Sequence, residues 1–174
     1  MCYNIAAVAK SRLLRNGIEE HGSTMVGISW SQQMSVGVPA LDSDHQALLR
    51  ILNLLDEIRD TPEADGSFES VLDSLIAYSR YHFAREEQVM EACGFSEIDV
   101  HRGEHVAFAK YVTGLRERRN GGGHAAQLGE LLDYLTDWLR HHILIQDMAF
   151  KPFVMGRDLG SVEVHLELMM AAPA

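Results

Sequence analysis

The chain has 174 residues, 47% of them hydrophobic and 23% charged, with a formal net charge of −10. That size and balance suit one soluble globular domain with a sizeable core, and the acidity, with no basic cluster, excludes a surface built for nucleic acid or an anionic membrane. Cys2 and Cys93 form no metal-binding pair and no disulfide framework, and no apolar run reaches membrane-spanning length, so cytoplasmic residence is expected.

The chain opens with MCYNIAAVAK, which lacks the long apolar stretch after a basic start that marks a signal peptide, so residues 1–25 read as a flexible extension. Patterned sequence begins just after Met25, which would serve as a start in its own right. Residues 26–41, with Trp30, read as an arm packed across the helices. Asp42 is the expected N-cap of a first helix reaching about Asp60, with His45, Leu48, Leu52 and Leu55 on one stripe. DTPEADGS (60–67) breaks it. A second helix is expected from about Phe68 to Ala92, with Leu72, Leu75, Ser79, His82, Glu86 and Val89 in phase, and CGFSE (93–97) turns the chain. The third, about Ile98 to Arg119, aligns His101, His105, Phe108, Val112 and Leu115 before NGGG (120–123) stops it. The fourth, about Ala125 to Met148, lines up Leu128, Leu131, Leu135, Trp138 and His142. The expected fold is therefore all-α: an up-down-up-down four-helix bundle with an N-terminal arm over residues 26–155, and a tail over 156–174.

Every apolar stripe carries polar residues: His45 on the first helix, His82 and Glu86 on the second, His101 and His105 on the third, His142 and Asp147 on the fourth. A lone histidine on such a face is ordinarily a satisfied core or boundary residue. Five imidazoles and two carboxylates buried unpaired would instead exceed a domain's whole stability margin. A bound cation cluster removes the conflict, because metal bonds replace the lost hydration. Residues four apart on an α-helix lie about 40° apart around the axis, so His82 with Glu86, and His101 with His105, converge on one centre. His142 and Asp147 are five apart, about 140° on a regular α-helix. Either a π-type turn aligns them or Asp147 reaches in from a fraying end, and the π-type turn is the expectation. His141 lies about 100° from His142 and points outward. His21, His124 and His165 fall in extension, loop and tail, Cys93 reads as a packed thiol, and Met90 as core.

Within the third helix, HRGEH (101–105) fits H-x-x-E-H, the pattern of inverted zinc peptidases, in which Glu104 would be the base. That reading leaves His45, His82, Glu86, His142 and Asp147 without work, and Gly103 weakens the helix it needs. Ferritin-type bundles place a glutamate three residues before a histidine, and no histidine here has one. Mixed imidazole and carboxylate ligands suit iron, zinc or copper, and seven are too many for one ion and apt for two.

LDSDHQALL (41–49), YHFAREEQVM (81–90), HRGEH (101–105) and WLRHHILIQD (138–147) together resemble the hemerythrins, particularly the single-domain bacterial type. WSQQMSVGVPALD (30–42) is similar to that family's N-terminal arm, so the resemblance spans about Ile28 to Phe153. It implies a non-haem di-iron centre that binds dioxygen reversibly, as a carrier or store. His101, His105 and His142 would hold one iron, His45 and His82 the other. Glu86, Asp147 and a solvent-derived oxygen would bridge the two, leaving one open position on the iron with fewer histidines. On this reading Glu104 is a surface residue. Phe83, Trp138 and Leu139, apolar and next to those residues in sequence, are the expected walls of an oxygen pocket, though each suits plain core as well. Two residues depart from the family pattern: Asp44 replaces the usual glutamine or glutamate before the first histidine, and Phe150 stands where tyrosine is common. An oxygen or redox sensor acting through a protein partner, and an enzyme consuming peroxide or nitric oxide, would use the same residues. The sequence names no such partner.

Overall fold

The computed structural model describes residues 27–59, 61, 63–117, 124–157 and 159. The extension over residues 1–25, the NGGG stop and nearly all of the tail lie outside the described residues.

Helix α1 spans Pro39–Ile58, α2 Glu63–Cys93, α3 Ile98–Glu117 and α4 His124–His141, and α4 continues through a π-helical turn, His142–Gln146, into α5, Asp147–Val154. Helix α2 packs against α1, α3 and α4, and α1 packs against α4 as well. Short connections between neighbours packed side by side give the expected up-down-up-down four-helix bundle. No helix among the described residues is long and apolar enough to cross a membrane.

Helix α1 starts at Pro39, ahead of the Asp42 cap expected from sequence, with Val38 at the cap position. Proline suits the first helical position because its missing N–H has no helical partner there. Asp42 fastens the arm instead. Its carboxylate accepts the Ser35 hydroxyl at 2.6 Å and the Val36 N–H at 2.9 Å. Lys151 on α5 donates to the Ser35 carbonyl at 2.6 Å. Further back, the Ile28 N–H donates to the Asn53 side chain at 3.2 Å, and the Asn53 amide donates to the Ile28 carbonyl at 3.3 Å. The arm is thus tied to α1 at two levels. Helix α2 begins at Glu63 rather than Phe68, running through the DGS that reads as a break.

Helix α2 ends as CGFSE predicts. Gly94 has φ +69°, its N–H bonds the Glu91 carbonyl at 3.1 Å, and the Phe95 N–H bonds the Met90 carbonyl at 3.0 Å. This is the paired closure that a left-handed residue after a helix allows. A Cβ at Gly94 would meet nothing within 4 Å, so Gly94→Ala should cost only the backbone penalty, ~1–2 kcal/mol. Chemical denaturation of the variant checks this.

The predicted stripes face inward and form two apolar clusters. One gathers Leu48, Leu49, Leu52, Leu55, Leu72, Leu75, Phe83, Phe108, Val112, Leu135 and Leu139, among others, with Trp138 packed against it half-buried. The other gathers Val36, Val38, Leu41, Val89, Met90, Cys93, Phe95, Phe150, Val154 and Leu159. Met90 and Cys93 are core, as expected, and the Cys93 thiol donates to the Met90 carbonyl at 3.4 Å. Along each helix the polar stripe residues fall where one cluster gives way to the other. His45 lies between Leu41 and Leu48, and His82 with Glu86 between Leu75 and Val89. His142 with Asp147 lies between Leu139 and Phe150. The bundle therefore carries one polar layer between two apolar ones.

Candidate metal centre

All seven inward polar residues, His45, His82, Glu86, His101, His105, His142 and Asp147, are buried in this layer. The π turn is what admits the last of them: the Asp147 N–H bonds the His142 carbonyl five residues back, which aligns two side chains a regular α-helix would separate.

The donor atoms fall into two sets with Glu86 common to both. Glu86, His101, His105 and His142 each offer an atom within 4.8 Å of the others, and so do His45, His82 and Glu86. The two carboxylates straddle the sets. Glu86 Oε1 lies 3.7 Å from His45 Nε2, while its Oε2 lies 3.2 Å from both His101 Nε2 and His105 Nε2. Asp147 Oδ2 lies 3.2 Å from His45 Nε2, while its Oδ1 lies 3.3 Å from His142 Nε2 and 3.6 Å from His101 Nε2. His105 Nε2 and His142 Nε2 are 3.1 Å apart, as neighbours aimed at one point would be.

Both nitrogens of His45, His82 Nε2, Glu86 Oε1 and both Asp147 oxygens are buried without a hydrogen bond. Each such atom costs about 1–3 kcal/mol unless something replaces its lost hydration. A cation does so for several at once, so the residues fit a metal. The electrostatics agree. Burial pulls the His45 imidazole down, but Asp147 and Glu86 outweigh it and push it up to about 10. At His82 burial prevails over Glu86 and Asp44, and the pKa falls. Burial opposes ionisation of Glu86, yet the surrounding imidazoles hold it well below the usual carboxylate range. The two carboxylates thus favour positive charge at the His45 end of the layer, where a cation would compensate them.

Behind these residues stand others that the sequence did not single out. Asp44, noted only as a departure from a family pattern, is buried. It lies 3.4 Å from His82 Nδ1, accepts the Tyr78 hydroxyl at 2.9 Å, and pairs with fully buried Arg85. His105 Nδ1 lies 2.9 Å from Glu87, which also accepts from Arg102 Nε at 3.1 Å. Arg85 follows His82 by three residues, about 60° around the helix, and that spacing could have flagged it. Glu87 carried no comparable signal.

Aromatic rings close over the imidazoles. Phe83 stacks on His105 with centroids 3.8 Å apart, and Trp138 stacks on His142 at 4.1 Å. Leu139 is buried beside them, and Trp30 from the arm lies 6.3 Å from His45. Phe150, fully buried, stands edge-on to His101 at 6.5 Å. His141 is exposed and its ring contacts Gln146. Glu104 is half-buried and belongs to neither donor set.

This chain belongs to the hemerythrin family: the hemerythrin HHE cation binding domain matches residues 36–154. A bacteriohemerythrin of Ralstonia nicotianae is 35% identical over 130 residues, covering 75% of this chain and 90% of that protein. A bacteriohemerythrin of Stenotrophomonas maltophilia is 29% identical over 126 residues, 72% of this chain and 80% of the relative. A hemerythrin-like protein of Naegleria gruberi is 27% identical over 124 residues, 71% of this chain and 90% of the relative.

Proposed function

We propose that the buried layer holds two iron ions and binds dioxygen reversibly, making the protein an oxygen carrier or store rather than an enzyme. The observation that carries this reading is the straddling of Glu86 and Asp147, each with one oxygen toward His45 and the other toward the three-histidine set. His101, His105 and His142 would hold one ion and His45 and His82 the other, with Glu86 and Asp147 offering an oxygen to each. When bound, the two irons supply the electrons that dioxygen takes up on binding and returns on release.

The remaining residues keep that exchange clean. Phe83, Trp138 and Leu139, joined by Trp30, wall the site with apolar surface, which hinders water from reaching it. Asp44 and Glu87 orient His82 and His105 from behind. Dioxygen is thus the expected partner, and the names borne by the relatives, bacteriohemerythrin among them, support the same reading.

Anaerobic titration with ferrous iron should saturate at two ions per chain; saturation at one zinc per chain with no uptake of iron would contradict the proposal. Because a histidine must be neutral to ligate, uptake should release protons from His45 and His105, both held, despite burial, above the ordinary imidazole range by neighbouring carboxylates. Glu104→Gln should leave iron content unchanged, while His105→Ala should lose one iron. A peptidase built on HRGEH demands the reverse emphasis, with Glu104 as its base. Iron analysis of the two variants separates these outcomes.

A further inference from the structure

Helix α2 carries a charge that the proposed site does not use. Arg85 is fully buried. Its guanidinium pairs with Asp44 across the α1–α2 interface, donates to the Ala40 carbonyl at 3.1 Å, and lies 4.6 Å from the centre of the Tyr81 ring. Asp44 in turn takes the Tyr78 hydroxyl at 2.9 Å and faces His82 Nδ1 at 3.4 Å. A buried ion pair contributes little net stability over apolar residues of similar size, so added stability does not by itself account for this pair.

Each donor set has one histidine with a carboxylate behind it, a partly exposed one in the three-histidine set and a buried one in the two-histidine set, and His101 Nδ1 and His142 Nδ1 have no hydrogen-bond partner. In the three-histidine set His105 is backed by Glu87, whose side chain is 26% exposed. In the two-histidine set His45 has no hydrogen bond at either nitrogen. Among the described residues, Asp44 is then the one carboxylate behind that set, and Arg85 fixes where it points.

Resting on the proposed two-metal reading, we infer that Arg85 and Asp44 are positioning residues for the two-histidine half of the centre: Arg85 anchors Asp44, and Asp44 accepts the Nδ1–H of His82, leaving Nε2 bare toward Glu86. One imidazole tautomer is thereby selected before any metal arrives, and retention of one ion depends on an interhelical ion pair that touches no metal. Neutral imidazole carries its proton on one nitrogen only, and the partner of that nitrogen decides which.

The test pairs two double variants with the wild-type chain. Asp44→Leu with Arg85→Met replaces both charges by apolar side chains, avoiding the lone buried charge that a single substitution would leave. Asp44→Asn with Arg85→Met removes the charges but keeps an acceptor for His82. Each chain is loaded anaerobically with ferrous iron and challenged with an excess of ferrous chelator. In the Leu/Met variant one iron should leave roughly ten- to a hundredfold faster than in wild type, with the other unchanged, and the Asn/Met variant, which keeps the acceptor for His82 but not its anchor, should fall between the two. Both irons leaving at wild-type rates, or both accelerating equally, overturns the inference. Long-range nitrogen–proton NMR of the metal-free wild-type chain decides it independently of iron. His82 protonated on Nδ1 supports it and His82 protonated on Nε2 overturns it, whereas failure of the wild-type chain to take up iron overturns the proposed function alone.

Discussion

Glu86→Ala should empty both halves of the centre while leaving the helical bundle folded. Among the described residues, Glu86 is the one member shared by both donor sets. Its Oε1 faces His45, and its Oε2 faces His101 and His105, with His82 3.9 Å and His142 3.7 Å away. No other side chain replaces it, because Asp147 already spans the sets from the opposite helix. His82→Ala, by contrast, should cost one ion, since it removes a donor from a single set. Folding does not depend on Glu86, because the two apolar clusters that hold the helices lie on either side of the polar layer. Iron analysis beside far-ultraviolet circular dichroism reads both halves of the expectation. A Glu86→Ala chain that still carries two irons would show that the carboxylate does not bridge.

Phe83→Ala should be the most damaging apolar change near the centre. The ring is buried, stacks on His105 at 3.8 Å with planes 7° apart, and meets Phe108 at 5.5 Å and Trp138 at 5.7 Å. Truncation leaves a cavity that rigid helices close only in part, so about 3–5 kcal/mol of stability should be lost. Iron content should persist, because Phe83 offers no donor atom. The oxygen-dependent colour should fade faster than in wild type, because water gains a way in. Urea unfolding of the metal-free chain measures the first effect and decay of the visible spectrum the second. A loss below about 1 kcal/mol would mean the ring contributes little packing.

The helices were legible because apolar residues recur at helical spacing, and the polar layer because histidines and carboxylates interrupt each stripe at the matching level. The π turn was legible for a sharper reason. His142 and Asp147 stand five apart, and no regular α-helix brings both to one face. Boundaries were less legible. Asp42 has the chemistry of a helix cap, but Pro39 opens α1 and Asp42 turns back to hold Ser35 and Val36. DGS carries the composition of a turn, yet α2 begins at Glu63 and runs through it. Arg85 sits inside FAREEQ, which resembles a solvated face. Only the approach of α1, carrying Asp44 to meet it, makes burial of that charge tolerable, and pairing between distant segments leaves no periodicity in either one.

The proposed function requires that two irons held by these seven side chains bind dioxygen and release it intact. Its most direct test is to load the chain anaerobically with ferrous iron, admit oxygen while recording the visible spectrum, and then flush with argon. A visible band should form that needs both iron and oxygen, saturates at one dioxygen per two irons, and disappears under argon over repeated cycles. A band that never forms, or one that argon does not reverse because oxygen has been consumed, would contradict it.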